Sequence, residues 1–180
     1  QEMAFIAGYI AGVITPDWRG GVLLPADPVA AQAVQAGFAN GLHFWCGLCQ
    51  PAYAPFVVYP QTAQITDPAD PVTTLARVDE LANMGVTTIY VPAEVASDAV
   101  FDYIAKKPAL IIGTISPAAP SGQWVVTLRR GDPVGSFAQA WTDAVAGNMA
   151  ITYSVPLQLT DTGSGILDEA RQRVVDEMLS

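Results

Sequence analysis

The sequence predicts a three-layer α/β fold: a mostly parallel sheet with helices on both faces. Three observations lead there. Helix and strand patterns alternate along almost the whole chain, as expected when parallel strands are joined by helical crossovers. The strand patterns are short, continuous apolar runs, which suit strands buried on both faces. The composition can fill such a core, with 51% of the 180 residues hydrophobic and only 14% charged, against roughly 25% charged in an average soluble protein.

The elements follow in order. Glu2-Met-Ala-Phe-Ile-Ala-Gly-Tyr-Ile-Ala-Gly12 opens an apolar helix over Met3–Ile14, dotted with small residues that would let its backbone lie close to a sheet. A strand follows at Gly21–Leu24. Asp27-Pro28 caps the next helix, Val29–His43, by placing a proline in the first turn. Phe56–Tyr59 reads as a second strand. Asp67-Pro68 and Asp70-Pro71 introduce a helix over Ala69–Met84, closed by Gly85. Thr87–Val91 is the third strand. Ser97 caps a helix to Lys106, whose C-terminal pole favours the cations Lys106 and Lys107. Strands at Ala109–Gly113 and Trp124–Leu128, a helix at Pro133–Ala146, a strand at Ala150–Val155 and a helix at Ile166–Leu179 complete the series. There is no internal repeat, so residues 1–180 read as one α/β domain.

Charge and patterning exclude several functions. A net charge of −9 with eight Lys and Arg leaves no basic stripe for nucleic acid. The longest apolar run, Met3–Ile14, is shorter than the roughly 20 residues of a spanning helix. It also lacks the basic start of a signal peptide, so any targeting segment is expected upstream or already removed. No phosphate-cradling glycine loop follows a strand.

Cys46 and Cys49 form a C-x-x-C. Zinc needs four ligands, and the single histidine, His43, brings the set to three. A thioredoxin-type pair belongs at the start of a helix after a strand, whereas this pair follows a helix. Buried free thiols are a further reading. Placement favours a local disulfide stapling the helix exit, which implies an oxidising compartment. No metal site or cofactor is expected. His43 fits a helix-end cap rather than a general base.

Asp161-Thr-Gly-Ser164 spells the aspartic-protease tetrapeptide, and Ile111-Ile-Gly113 resembles another segment of those enzymes. The order is inverted and a helix pattern follows instead of strands, so a polar turn is the better reading. Asp98 with Asp102, and Asp79-Glu80, read as solvated helix faces. No enzymatic activity is expected.

Several segments together resemble the second lobe of the BMP (basic membrane lipoprotein) family of ABC-transporter solute-binding proteins. The opening helix with two glycines and its Gly-Val strand are similar to the start of that lobe. Gln35-Ala-Gly-Phe-Ala-Asn-Gly41 is similar to the family's Gly-Phe-x-x-Gly, and Leu75–Tyr90 to its helix–Gly–strand passage. Ala109-Leu-Ile-Ile-Gly-Thr114, Trp124–Leu128, Phe137–Gly147 and Ile166–Leu179 resemble its later strands and helices. The resemblance implies a lobe of the type I periplasmic-binding fold, with the first lobe absent from this stretch. Ligand positions depart from the pattern: Pro25-Ala-Asp27 replaces Gly-Gly, Thr114 replaces a ribose-gripping aspartate, and Arg129-Arg-Gly131 replaces an aromatic-and-lysine pattern. Nucleoside binding therefore does not carry over.

In an open parallel sheet the ligand crevice lies outside the strand carboxyl ends. That edge is expected to gather Pro25–Asp27, Pro60–Thr62, Pro92–Glu94, Thr114–Ser116 and Arg129-Arg130. The candidate ligand residues are Asp27, Glu94, Thr114 and Ser116. The expected function is non-catalytic binding of a small polar solute outside the cytoplasm, in the periplasm or at the cell surface. Anchoring would come from a segment outside this chain, and an ABC permease or a sensor would be the partner. The alternative is a protein-interaction or sensory ectodomain that has lost the pocket.

Overall fold

A computed structural model describes residues 1–50, 56–67, 69–148, 155–162 and 165–179. Its elements in chain order are α1 (Glu2–Ile14), β1 (Gly20–Leu24), α2 (Pro28–Cys46), β2 (Gln61–Gln64), α3 (Pro71–Asn83), β3 (Thr88–Val91), α4 (Asp98–Ile104), β4 (Leu110–Gly113), β5 (Trp124–Arg130), α5 (Pro133–Val145), β6 (Leu157–Thr160) and α6 (Glu169–Leu179). The sheet has six strands in the order β2-β1-β3-β4-β5-β6. β1 to β5 are parallel, and β6 returns antiparallel to β5. α1, α2 and α6 pack together on one side, while α3 and α4 form a second layer. This is the expected three-layer α/β architecture.

The central strands are buried from end to end in β1 and β3, which matches their continuous apolar sequence. Side-chain caps start the helices where Asp and Ser precede them. Asp27 accepts from Ala30 N at 2.8 Å, Asp70 from Val72 N at 2.9 Å, and Ser97 from Val100 N at 3.3 Å. Each satisfies an amide that the helix itself leaves open.

The second strand differs from expectation. Phe56–Tyr59 is not a strand; Phe56 and Val58 are exposed, and β2 is Gln61–Gln64. β2 lies at the edge of the sheet with one neighbour, so it needs little apolar surface and its glutamines stay at the rim. Pro60-Gln61-Thr62 therefore enters β2 instead of leaving it. The strand expected at Ala150–Val155 falls on 150–154, outside the described residues.

The small residues of α1 do more than expected. A Cβ added at Gly8 would collide with Phe38 O and stand 2.9 Å from Leu42 N, and one at Gly41 would meet Phe5 O and stand 2.8 Å from Tyr9 N. These two glycines let α1 and α2 touch backbone to backbone, and α1 also lies close against β1, β3 and β5. Ala7, Ile10 and Ala11 are fully buried in the same helix.

Polar side chains tie layers together at a few places. Thr15 and Thr88 share a buried hydroxyl hydrogen bond of 2.6 Å. Asp79, expected as a solvated face, pairs with Lys107 at 2.6 Å and accepts from Tyr103 at 2.8 Å, joining α3 to α4. Lys107 and then the Tyr103 hydroxyl hold its carboxyl below the usual range. Cys46 closes the last turn of α2, and its sulfur is in disulfide contact with that of Cys49, the two Cα atoms 5.1 Å apart.

Candidate functional site

Helices following parallel strands start at the strand carboxyl ends, so this edge collects helix N-termini as well as loop side chains. β1 has β2 on one side and β3 on the other, so successive connections run in opposite directions from it and leave a crevice at that edge.

Glu94 and Thr114 come together there. Both line a cavity of about 90 Å³ with Tyr90, Pro92, Val34 and the start of α1. Glu94 sits on a single 3-10 turn, Ala93–Val95, directly after β3. It also borders a larger hollow of about 260 Å³ between the starts of α3 and α4, with Ile65, Thr74, Ser97 and Val100 in its wall. Glu94 thus borders two adjoining spaces.

The Thr114 hydroxyl oxygen is buried without a hydrogen-bond partner among the described residues. An unpaired buried hydroxyl costs about 1–3 kcal/mol, so a group that satisfied it would be held. Tyr90 stacks on Phe38 with ring centroids 5.7 Å apart. Burial, with the Glu94 charge adding to it, raises the Tyr90 phenol well above its ordinary value, so it stays protonated. Glu94, Tyr90 and Thr114 thus line the cavity together with the apolar walls of Val34 and Met3. Such a set can hydrogen-bond a small polyhydroxylated molecule while packing its apolar face.

The other two candidates are bonded elsewhere. Asp27 caps α2. Ser116 donates to Asp161 at 2.5 Å, and Thr127 donates to the same carboxylate oxygen at 2.8 Å. Arg129 reaches Ser116 at 3.3 Å and Asp161 at 3.8 Å. The Ser116 hydroxyl and then that of Thr127 hold the Asp161 carboxyl below the usual range against the opposing effect of burial, with smaller help from Thr160 and Arg129. Asp161 is thus an ionised knot between the β4 exit and β6. Gly163 and Ser164 of the protease-like tetrapeptide lie outside the described residues. Among the described residues no cluster of His, Cys, Asp and Glu could hold a metal ion.

Sequence reasoning missed Tyr90, which reads as an ordinary core residue of a buried strand. It read Asp161 as part of a polar turn and missed its partner Ser116, which lies 45 residues away.

The fold is that of a type I periplasmic-binding-protein-like lobe. No family model and no curated sequence matches the chain. The structure is similar to a transcriptional activator of the comK gene from Bacillus halodurans, at TM-score 0.67 and 15% identity over 97% of this chain and 60% of that one. It is also similar to an ABC transporter solute-binding protein from Conexibacter woesei, at TM-score 0.63 and 15% identity over 99% of this chain and 62% of that one. A third likeness is to a periplasmic solute-binding protein from Actinobacillus succinogenes with bound D-allose, at TM-score 0.53 and 14% identity over 89% and 61%. The chain spans about 60% of the length of these proteins.

Proposed function

We propose that this chain is a non-catalytic solute-recognition lobe that takes a small polar molecule, of the monosaccharide class, at the strand carboxyl edge. The observation that carries the reading is the cavity lined by Glu94 and by Thr114, whose buried hydroxyl has no partner among the described residues. Sugars offer both donors and acceptors on one small frame, which suits a carboxylate beside a hydroxyl and a protonated phenol. The D-allose bound to the similar Actinobacillus succinogenes protein supports this class. The disulfide contact of Cys46 and Cys49 supports a site outside the cytoplasm, serving an ABC importer or a sensor.

A monosaccharide panel followed by thermal shift and NMR chemical-shift mapping tests the proposal. Binding should be no tighter than about micromolar, near 8 kcal/mol, because this lobe offers one wall of a site. Glu94→Ala and Thr114→Val should each abolish it. Asp27→Ala should lower stability by about 1 kcal/mol as a lost cap. Binding that survives both cavity changes, or maps to the opposite sheet edge, would overturn the site.

A second reading is favoured by the likeness to a transcriptional activator: a sensory domain whose occupancy is passed to a protein partner. The net charge of −9 argues against direct contact of this domain with DNA.

A further inference from the structure

α2 is the longest described helix and the only one without an Asp, Glu, Lys or Arg. The uncharged stretch runs on from Pro28 to Thr66, in a chain of net charge −9. The helix is not enclosed by its own chain. It buries Ala31, Val34, Phe38 and Leu42, whereas Val29, Gln32, Ala36, Asn40 and His43 recur at helical spacing on its exposed side. The solvent face of a surface helix is ordinarily charged, as α3 is at Arg77 and Glu80 and α6 at Arg173 and Glu177.

An apolar patch continues this face at the end of the helix. Phe44, Trp45 and Leu48 are 65%, 44% and 81% exposed, and Phe56 and Val58 are 64% and 53% exposed. Tyr59 N donates to Cys49 O at 3.1 Å, and Tyr59 O lies 3.2 Å from His43 Nε2. The chain entering Tyr59 therefore returns beside the turn that ends α2, which the disulfide contact of Cys46 with Cys49 holds. α2 starts at the carboxyl end of β1 and runs back to feed the parallel strand β2. Its aromatic end thus lies at the opposite edge of the sheet from the Glu94–Thr114 cavity.

The chemistry of the face selects its occupant. A patch of this kind on a soluble protein marks an interaction surface. A partner recognised by charge would find nothing here to pair with, and helices that lie on membranes carry Lys and Arg along their polar face. In a two-fold pairing the same patch meets itself, so every charge on it would face its like. An uncharged face is what two copies of a −9 chain need. The amides of Gln32 and Asn40 each offer donors and an acceptor, so they can bond their own copies. The area also suffices. Phe44, Trp45, Leu48, Phe56 and Val58 expose on the order of 500 Å² at the usual size of such side chains, and the outer face of α2 extends this toward the roughly 800 Å² per partner of a standard interface.

We propose that the outer face of α2, from Val29 to Phe44 with Leu48, Phe56 and Val58, pairs with the same face of a second copy of this chain. The pairing leaves the carboxyl edge of both copies open. It is independent of the ligand reading.

The molecule provides its own control surface. Phe137 and Trp141 of α5 are also exposed, but they stand elsewhere. The chain leaves β5 at Arg130 and re-enters the sheet opposite it at Leu157, and Gly131 N donates to Pro156 O at 2.8 Å. α5 therefore hangs from a paired stem at the carboxyl edge.

Sedimentation velocity over a concentration series, with no sugar present, tests the proposal. The protein should dimerise with a dissociation constant of about micromolar. Ala36→Glu and Leu48→Glu change exposed positions, so the melting of each variant should match the parent. In the paired state each puts two like charges into one interface and should weaken the dimer at least about 100-fold; either variant alone decides. Phe137→Glu should leave the dimer intact. Added salt should tighten it by screening the repulsion between two acidic bodies. A monomer at every concentration would overturn the proposal, as would a dimer that survives both α2 changes, yields to Phe137→Glu or loosens with salt. A monomer that floats with phosphatidylcholine vesicles, and stops doing so in Leu48→Glu, would overturn it in favour of a bilayer.

Discussion

α1 with α2 and α5 are built from similar residues and end up in opposite situations. All three are apolar helices carrying alanine, glycine and aromatic side chains. In the first pair the backbones touch through Gly8 and Gly41, and α1 buries nine of its residues. α5 buries none. Amphipathic periodicity therefore reports that a helix wants a partner, and glycine at the point of contact reports that the partner is close. Gly135 of α5 has nothing within 4 Å of an added Cβ, so its glycine is not there to admit a neighbour within this chain.

The sharpest test of that contrast changes a glycine to alanine in each place. In a helix free of contacts the change gains roughly 1 kcal/mol from backbone propensity. At Gly41 the new methyl would run into the Phe5 carbonyl, and neither backbone can yield. Gly41→Ala should cost about 3 kcal/mol, at the upper end of overpacking penalties, read as a lowered denaturant midpoint. A stabilised protein would mean that the helices are not in backbone contact.

Gly135→Ala should act with the opposite sign and smaller size. α5 should gain up to about 1 kcal/mol of helix stability, measured as slower amide exchange in residues 134–145. Loss of helix there would place Gly135 against a neighbour and blur the difference between the two regions.

The smallest effect concerns the knot that anchors β6, from which the α5 excursion hangs. The Asp161 carboxyl is depressed on folding, chiefly by the Ser116 hydroxyl. Its contribution to stability is therefore fully present above the unfolded value of about 3.9 and is lost as pH falls through the lower folded value. An NMR titration should find its midpoint below about 3.9, moving up in Ser116→Ala. A midpoint unmoved by that change would mean that Ser116 does not hold the carboxylate.

Most of the fold could be read before any coordinates because its signals are local. Asp27-Pro28, Asp70-Pro71 and Ser97 mark helix starts by chemistry confined to one turn. β1 and β3 declare themselves as unbroken apolar runs. β2 did not, because an edge strand with one neighbour can be Gln-Thr-Ala-Gln, while the nearby apolar Phe56–Tyr59 looked the part. Of the candidate site, Glu94 and Thr114 were legible as strand-end positions that topology must bring to one edge. The Ser116–Asp161 bond was not, since it depends on where an antiparallel strand returns. The exposed side of α5 was equally hidden, because a sequence pattern shows an apolar face without saying whether the chain covers it.

The paired stem at Gly131 and Pro156 has a consequence for how such a chain can diverge. It joins β5 to β6 at neighbouring points, so the stretch between them is closed at its base whatever its length. The entropy of closing such a loop grows only with the logarithm of its length, about 0.6 kcal/mol for each doubling. Structure can therefore be lengthened, trimmed or exchanged within residues 132–155 at little thermodynamic cost to the sheet. In a lineage of these proteins, that is the place where new parts could be grafted while the body beneath them stayed the same.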